Sequence, residues 1–112
     1  MIEHNGRRYH CPVEVAMDTL SGKWKCLMLW HLNDGVKRYK ELERIVPGVS
    51  QKMLSQQLKE LERDGLITRK VYPEVPPRVE YALTELGKSA FPILSMMHHW
   101  ATEKLELRQC EE

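Results

Sequence analysis

The sequence predicts a mainly α-helical fold that carries one small β-hairpin. Apolar residues recur every three to four positions in several stretches, as they do along helices. Two β-prone runs flank a proline-rich segment at 73–78, which is typical of a hairpin. No repeat or linker divides the 112 residues. A chain of this length buries one core, so we expect a single domain over residues 1–112.

The overall composition restricts the class of protein. With 42% hydrophobic and 29% charged residues, the chain is typical of globular proteins, which excludes intrinsic disorder. No apolar run approaches the roughly 18 residues that a membrane span requires. The polar start at 1–10 lacks the apolar segment of a secretory signal. We therefore expect a cytoplasmic protein that makes no contact with a membrane.

Two helices are predicted in the first third of the chain. Proline suits the first helical position because its missing N–H has no intrahelical partner there, so the first helix begins at Pro12. It ends at Ser21-Gly22, and its apolar stripe consists of Val13, Ala16, Met17 and Leu20. The second helix, over 24–32, is apolar on nearly every side, which indicates a helix surrounded by protein.

A helix-turn-helix is predicted in the middle of the chain. After a very short strand at 36–38, a third helix covers 39–46 and ends at the Pro47-Gly48 turn. Ser50 is the N-cap candidate of a fourth helix, which ends near Gly65. The inner stripe of this helix consists of Leu54, Leu58 and Leu61. Two helices joined by a short turn are typical of this motif.

The remaining residues predict a hairpin and a broken helix. The β-prone runs 66–72 and 79–83 form the hairpin, and Thr84 is the N-cap candidate of the helix that follows. Pro92 interrupts this helix, so we expect a kink or two helices that meet near Phe91. The apolar stripe of the segment is Leu83, Leu86, Ala90, Ile93, Met97 and Trp100.

The order of four helices, a two-stranded wing and a last helix is that of a winged helix-turn-helix, whose fourth helix enters the DNA major groove. The stretch 11–100 also resembles the HxlR family of bacterial transcriptional regulators, relatives of the MarR regulators. The matching motifs are Cys11-Pro12-Val13, Ser21-Gly22-Lys23-Trp24, Leu42 with Pro47-Gly48, the run 50–67, Pro76-Pro77-Arg78-Val79-Glu80-Tyr81 and Leu83-Thr84-Glu85-Leu86-Gly87. The resemblance implies a homodimer that binds a pseudo-palindromic DNA operator.

The first and last helices form the dimer interface in proteins of the family that the chain resembles. The apolar stripe near the C-terminus and the all-round apolar second helix together exceed what one small core needs. The interface candidates are Val13, Met17, Phe91, Ile93, Met97 and Trp100. In the alternative interpretation, the last four of these residues pack only onto their own domain.

The distribution of charge indicates where an anionic partner binds. Residues 36–72 contain nine basic and five acidic side chains, although the whole chain has a net charge of only +1. The outer face of the fourth helix offers side chains that can pair with base edges, namely Gln51, Lys52, Ser55, Gln56 and Lys59. The phosphate-contact candidates are Arg38, Lys40, Ser50, Arg69, Lys70 and Arg78. The alternative is a solvated helix face, as in a winged-helix protein-interaction module that binds no DNA.

Two of the three cysteines are candidates for redox sensing. Cys11 lies at the N-terminus of the first helix, where exposed N–H groups favour the thiolate that oxidants and electrophiles attack. The family resemblance implies such a role for Cys11, with Cys110 of the other subunit as a resolving thiol. The alternative is that Cys11 packs as a small apolar residue. For Cys26, inside the apolar second helix, we expect core packing.

The sequence gives no basis for a catalytic, metal or cofactor site. The adjacent His98 and His99 lie about 100° apart on a helix and cannot easily bind one metal ion. No glycine-rich phosphate loop or nucleophile elbow is present. A thiol-dependent enzyme would have to use Cys11 with His10, and no third orienting group lies near them in the sequence.

Overall fold

The computed structural model describes residues 1–110, in which six helices and five strands are present. The strands form two antiparallel sheets, one of β1 and β2 and one in the order β3-β5-β4. In chain order the elements are β1 (Ile2–His4), β2 (Arg7–Tyr9), α1 (Pro12–Thr19), α2 (Lys25–Leu32), β3 (Lys37–Arg38), α3 (Tyr39–Ile45), α4 (Gln51–Arg63), β4 (Ile67–Tyr72), β5 (Arg78–Leu83), α5 (Glu85–Ser89) and α6 (Phe91–Lys104). The mainly α-helical fold with a winged helix-turn-helix is confirmed.

An N-terminal hairpin, β1 and β2, precedes the first helix, and the sequence analysis did not predict it. His4 pairs with Arg7, and the two residues between them, Asn5 and Gly6, both have positive φ angles of 49° and 76°. A two-residue hairpin turn needs this backbone, and the Asn-Gly pair is its usual sequence. The residue pattern therefore contained a usable signal for the hairpin.

The helix-turn-helix is built around the inner face of α4. Ser50 caps this helix as predicted, because its Oγ accepts a hydrogen bond from the backbone N–H of Met53 at 3.0 Å. The predicted inner stripe is confirmed, since Leu54, Leu58 and Leu61 are fully buried. They pack in a core that also contains Met28, Leu29, Leu32, Leu42, Val46, Leu66, Ile67, Tyr81 and Leu94. The core therefore fixes which side of α4 faces solvent.

The predicted hairpin forms a wing of three strands. β4 and β5 pair from Ile67 opposite Leu83 to Tyr72 opposite Arg78, which leaves residues 73–77 as the tip. The very short strand expected at 36–38 is present as β3 and pairs with β5. The wing is thereby joined at one edge to the start of α3.

The helix break expected at Pro92 is confirmed. α5 ends at Ser89 and α6 begins at Phe91, with Pro92 in the first turn of α6. Thr84 caps α5 as predicted by accepting a hydrogen bond from the N–H of Gly87 at 3.0 Å. Gly87 lies so close to the wing that a Cβ there would overlap the carbonyl oxygen of Leu66.

Candidate nucleic-acid interface

The solvent face of α4 presents the predicted base-reading side chains. Ser55 is half-buried and the other four residues are exposed, namely Gln51, Lys52, Gln56 and Lys59. They alternate along the helix with the buried leucines, as a period of 3.6 residues requires. The face is thus polar and open to solvent, although its contact with bases remains a prediction.

Helix α3 supports the first two turns of α4 from one side. The Tyr39 hydroxyl donates a hydrogen bond to the carbonyl oxygen of Gln51 and lies 3.3 Å from the Ser55 Oγ. The Gln51 side-chain amide donates to a Glu43 carboxylate oxygen at 3.3 Å. Gln51 and Ser55 are therefore held in position by neighbouring side chains.

The face of α4 and the wing border adjoining depressions. Lys52, Ser55, Gln56 and Lys59 line an open depression of about 640 Å³, together with Glu60 and Arg63. Ser55 and Lys59 also line a cleft of about 450 Å³, whose other walls include Tyr39, Arg69 and Val79. The structure thus brings one predicted phosphate contact, Arg69 on β4, beside two predicted base readers.

The predicted phosphate contacts differ in their exposure to solvent and in whether acidic side chains lie beside them. Exposed side chains are found at Arg38, Lys40, Ser50, Arg69 and Lys70. Arg78 is different, because its guanidinium lies 3.3 Å from Glu74, 3.6 Å from Glu80 and 4.0 Å above the Tyr72 ring. The charge of Arg78 is therefore largely balanced inside the wing, and its contact with phosphate remains a prediction.

Two buried polar residues behind the α4 face were missed by the sequence analysis. Lys25, at the start of α2, is only 3% exposed, and its Nζ lies 2.6 Å from a carboxylate oxygen of Glu60. The hydrogen bond from Lys25 lowers the pKa of Glu60. Gln57 is also buried, and its side-chain oxygen accepts from the backbone N–H of Trp24 at 3.2 Å. Lysine is almost never buried unless paired, so the sequence alone favours an exposed side chain here.

The three cysteines lie in different environments, and all are free thiols. Cys11 is exposed and is the N-cap residue of α1, with Pro12 in the first turn as predicted. Cys26 is half-buried, and burial raises the pKa of its thiol. Cys110 is exposed in the segment after α6. The redox role of Cys11 and Cys110 remains a prediction.

Most of the predicted dimer-interface residues are exposed apolar side chains, on α1 and on α6. Exposed side chains are found at Val13, Met17, Ile93, Met97 and Trp100, and Met96 adds to them. No residue of α1 is buried, and Leu94 is the buried residue of α6. Phe91 stacks on Trp30 of its own chain, with ring centroids 5.4 Å apart. The surface is consistent with the predicted interface but does not test it.

Residues 1–110 offer little for the other classes of site. In this part of the chain no cluster of three or more His, Cys, Asp or Glu side chains is arranged to hold a metal ion. Within the same range, no helix combines the length and apolar character needed to cross a membrane.

Comparison with known proteins identifies the family. The HxlR-like helix-turn-helix family matches residues 19–109. The chain belongs to this family. An HTH-type transcriptional regulator of Methanothermobacter thermautotrophicus is 55% identical over 92 residues, which are 82% of this chain and 70% of that protein. These findings make the chain a transcriptional regulator of the HxlR type.

Solved structures agree with this membership. The redox regulator HypR in its oxidized form is 46% identical, with a TM-score of 0.81 over 87% of this chain and all of that one. The reduced form of the transcriptional regulator YodB from B. subtilis is 39% identical, with a TM-score of 0.75 over 90% of this chain and all of that one. The fold of this chain is thus the fold of known regulators.

Proposed function

We propose that two copies of this chain bind one pseudo-palindromic DNA operator, with an α4 helix of each copy in the major groove. The observation that carries the proposal is the outer face of α4, where Gln51, Lys52, Gln56 and Lys59 are exposed beside half-buried Ser55. Membership of a helix-turn-helix regulator family supports it. The role is regulatory rather than catalytic, and the compartment is the cytoplasm.

The chemistry of the α4 face suits base recognition. A glutamine amide can pair with both N6 and N7 of adenine, and a lysine reaches O6 and N7 of guanine. Lys52, Gln56 and Lys59 supply these groups from one open surface. Ser55, held near Tyr39, can donate to either class of base.

The basic residues around α4 are assigned to phosphate. Arg69 and Lys70 on β4, with Arg38 and Lys40 at the start of α3, are exposed and release counterions when they meet a duplex. Ser50 is the N-cap residue of α4, so its backbone and the helix N-terminus can hold a phosphate beside the base-reading face. Arg78 contributes less than the exposed residues because Glu74 and Glu80 already offset its charge.

The apolar surface of α1 and α6 is assigned to the second copy. Large exposed apolar side chains such as Met17 on α1 and Met97 and Trp100 on α6 are costly in water, and each is suited to contact with another protein surface. A two-fold dimer formed through these side chains would carry two equal α4 helices, one for each half of an operator. Half-sites about one helical turn apart, or a multiple of this, are then expected.

The test is enrichment of random duplexes on the reduced protein, followed by fluorescence anisotropy on the enriched and a scrambled duplex at several salt concentrations. We expect a two-fold repeated sequence, with log Kd changing linearly with log salt. Recovery of no duplex at low salt would contradict the proposal. That result would leave the protein-interaction module as the remaining alternative.

We further infer that Cys11 makes DNA binding sensitive to oxidants or electrophiles. Cys11 is exposed at the N-terminus of α1, next to the surface assigned to the second copy, and the similar protein HypR is a redox regulator with a known oxidized form. In the reaction with an oxidant, the thiols of Cys11 and a partner's Cys110 form a disulfide and pass two electrons and two protons to the oxidant. With a quinone as electrophile, the Cys11 thiolate sulfur bonds to a ring carbon, the C=C electron pair moves to the carbonyl oxygen, and that oxygen takes up the proton that the thiol has lost.

Diamide treatment followed by reductant tests the thiol proposal. We expect affinity for the enriched duplex to fall at least about tenfold, or 1.4 kcal/mol, and to recover on reduction. Cys26→Ser is the matched control, because the half-buried Cys26 thiol has a raised pKa and is less reactive. A Cys11→Ser protein that loses affinity as far as the wild type does would contradict a role for Cys11.

A further inference from the structure

Two polar contacts join one side of α4 to the start of α2, and in them Lys25 and Gln57 are buried while the Glu60 side chain is 30% exposed. The Lys25 ammonium meets Glu60 at 2.6 Å, and the Trp24 N–H donates to Gln57 at 3.2 Å. Gln57 and Glu60 are three residues apart, so they lie on the same side of α4. Their partners on α2 are consecutive in sequence. The two contacts therefore fix one side of α4 against the N-terminal end of α2.

These contacts differ in kind from the leucine packing beside them. Burial of Leu54, Leu58 and Leu61 is favourable but non-directional, so it tolerates a small rotation of the helix. The ion pair and the hydrogen bond are satisfied in one geometry only. Burying a lysine costs free energy that its carboxylate partner must offset, so such a pair adds little net stability while it can specify one arrangement.

The orientation of α4 matters because the base-reading side chains are adjacent in sequence to the anchored ones. Gln56 precedes Gln57, and Lys59 precedes Glu60. With side chains an α-helix has a radius of about 5–6 Å, so a rotation of about 20° moves a side-chain tip by about 2 Å. A hydrogen bond to a base edge does not survive such a displacement, since its donor–acceptor distance must stay near 2.7–3.2 Å.

We propose that the Lys25–Glu60 ion pair, together with the Gln57–Trp24 hydrogen bond, sets the rotation of α4 and so determines which base edges its outer face can reach. Lys25 and Glu60 are positioning residues in this account, because they act through Gln56 and Lys59. The inference rests on the proposed DNA-binding function. It adds that operator specificity depends on Lys25, which is buried and does not itself touch DNA.

The test compares a variant in which both members of the ion pair are apolar with Glu60→Gln, whose side chain has the same length as glutamate and can still accept a hydrogen bond. Lys25→Met/Glu60→Met removes the directional contact without leaving an unpaired buried charge, so we expect a melting temperature close to that of the wild type. Its affinity ratio between the enriched and the scrambled duplex should fall about tenfold, as for one lost base contact. Affinity for the scrambled duplex and its salt dependence should stay unchanged, since phosphate contacts remain.

Two further variants separate positioning from stability and charge. Glu60→Gln can still accept a hydrogen bond from Lys25, so its affinity ratio should remain within about threefold of the wild-type value even if its melting temperature falls. Glu62→Gln removes the same charge from an exposed position of the same helix and should retain the wild-type ratio. If the double substitution prevents folding, Lys25→Met/Glu60→Gln measured against Glu60→Gln gives the same contrast, because neither of its side chains is a charge without a partner.

Several results would overturn the inference. A wild-type affinity ratio in the apolar variant, or in Lys25→Met/Glu60→Gln if that is the variant that folds, would show that the pair does not position α4. A parallel fall of both affinities with an unchanged ratio would assign the pair to stability alone. Both results would leave the proposed function intact. A wild-type protein that enriches no duplex would overturn the proposed function, and this inference with it.

Discussion

Helices α4 and α6 are of similar length but use their two faces differently. α4 buries Leu54, Leu58 and Leu61 and exposes polar side chains such as Lys52 and Gln56. In α6, Leu94 is the buried residue, and apolar side chains such as Ile93, Met97 and Trp100 are exposed. The leucines of α4 are covered by the core of their own chain, whereas most of the large apolar side chains of α6 are left exposed.

This difference supports the proposal that the two surfaces bind different partners. A polar face backed by a complete core is stable in water and gains from a polar, charged ligand such as a duplex. An exposed apolar face gains most from a protein surface that removes it from water. The two helices therefore predict separable losses on mutation: α6 changes should alter assembly, and α4 changes should alter base preference.

The largest effect is expected for a charge placed in the α6 surface. Trp100→Glu puts a carboxylate among apolar side chains, and loss of a central aromatic anchor typically costs about 2–4 kcal/mol of association free energy. Sedimentation at micromolar concentration should show monomers, with weaker operator binding. Val36→Glu is the control, because it introduces the same charge at an exposed apolar residue that lies outside α1 and α6. This variant should remain dimeric. If the two variants assembled equally well, the exposed apolar side chains of α6 would not be the dimer contact.

A smaller effect is expected on the α4 face. Gln56→Ala should weaken binding to the enriched duplex by about 1–3 kcal/mol and relax preference at one base pair, with assembly unchanged. Arg69→Ala is the comparison variant, since loss of one phosphate contact weakens all duplexes and reduces the salt slope by about 0.9. Anisotropy on both duplexes measures each change. A uniform loss for Gln56→Ala would end its assignment as a base reader.

The smallest effect concerns the anchoring of α4 and depends on pH. Because the pKa of Glu60 is lowered in the folded state by its hydrogen bond from Lys25, the carboxylate contributes stability above its unfolded pKa. This contribution is lost as pH falls through the folded pKa. Wild type should exceed Glu60→Gln in unfolding free energy by on the order of 1 kcal/mol at pH 7. Denaturant titrations should show the unfolding free energies of the two proteins converging below about pH 4. A difference that stays constant with pH would contradict a contribution from the Glu60 carboxylate.

Elements with local signals were predictable from the sequence. Ser50 and Thr84 cap helices because their hydroxyl oxygens accept backbone N–H groups one turn later, and Pro92 separates α5 from α6 because it cannot continue a helix. The hairpin β1–β2 was missed although its Asn5-Gly6 turn is a local signal, because its strands are short and polar.

The buried contacts behind α4 could not be predicted in the same way. Whether Lys25 points into the protein depends on the position of Glu60, which lies on another helix and distant in sequence. Gln57 likewise reads as one more polar residue of an exposed face until the backbone of Trp24 is placed beside it. The environment of Arg78 also depends on the wing, because the register places Tyr72 opposite it and the strand brings Glu80, two residues along β5, to the same face.

Methylation protection of guanine N7 on the enriched duplex tests most directly whether two α4 faces enter successive major grooves. The account predicts two protected segments whose centres are about 10–10.5 base pairs, or a multiple of this, apart. Lys52→Ala should remove protection within both segments while the spacing persists. A single protected segment, or protection unchanged by Lys52→Ala, Gln56→Ala and Lys59→Ala, would contradict the account.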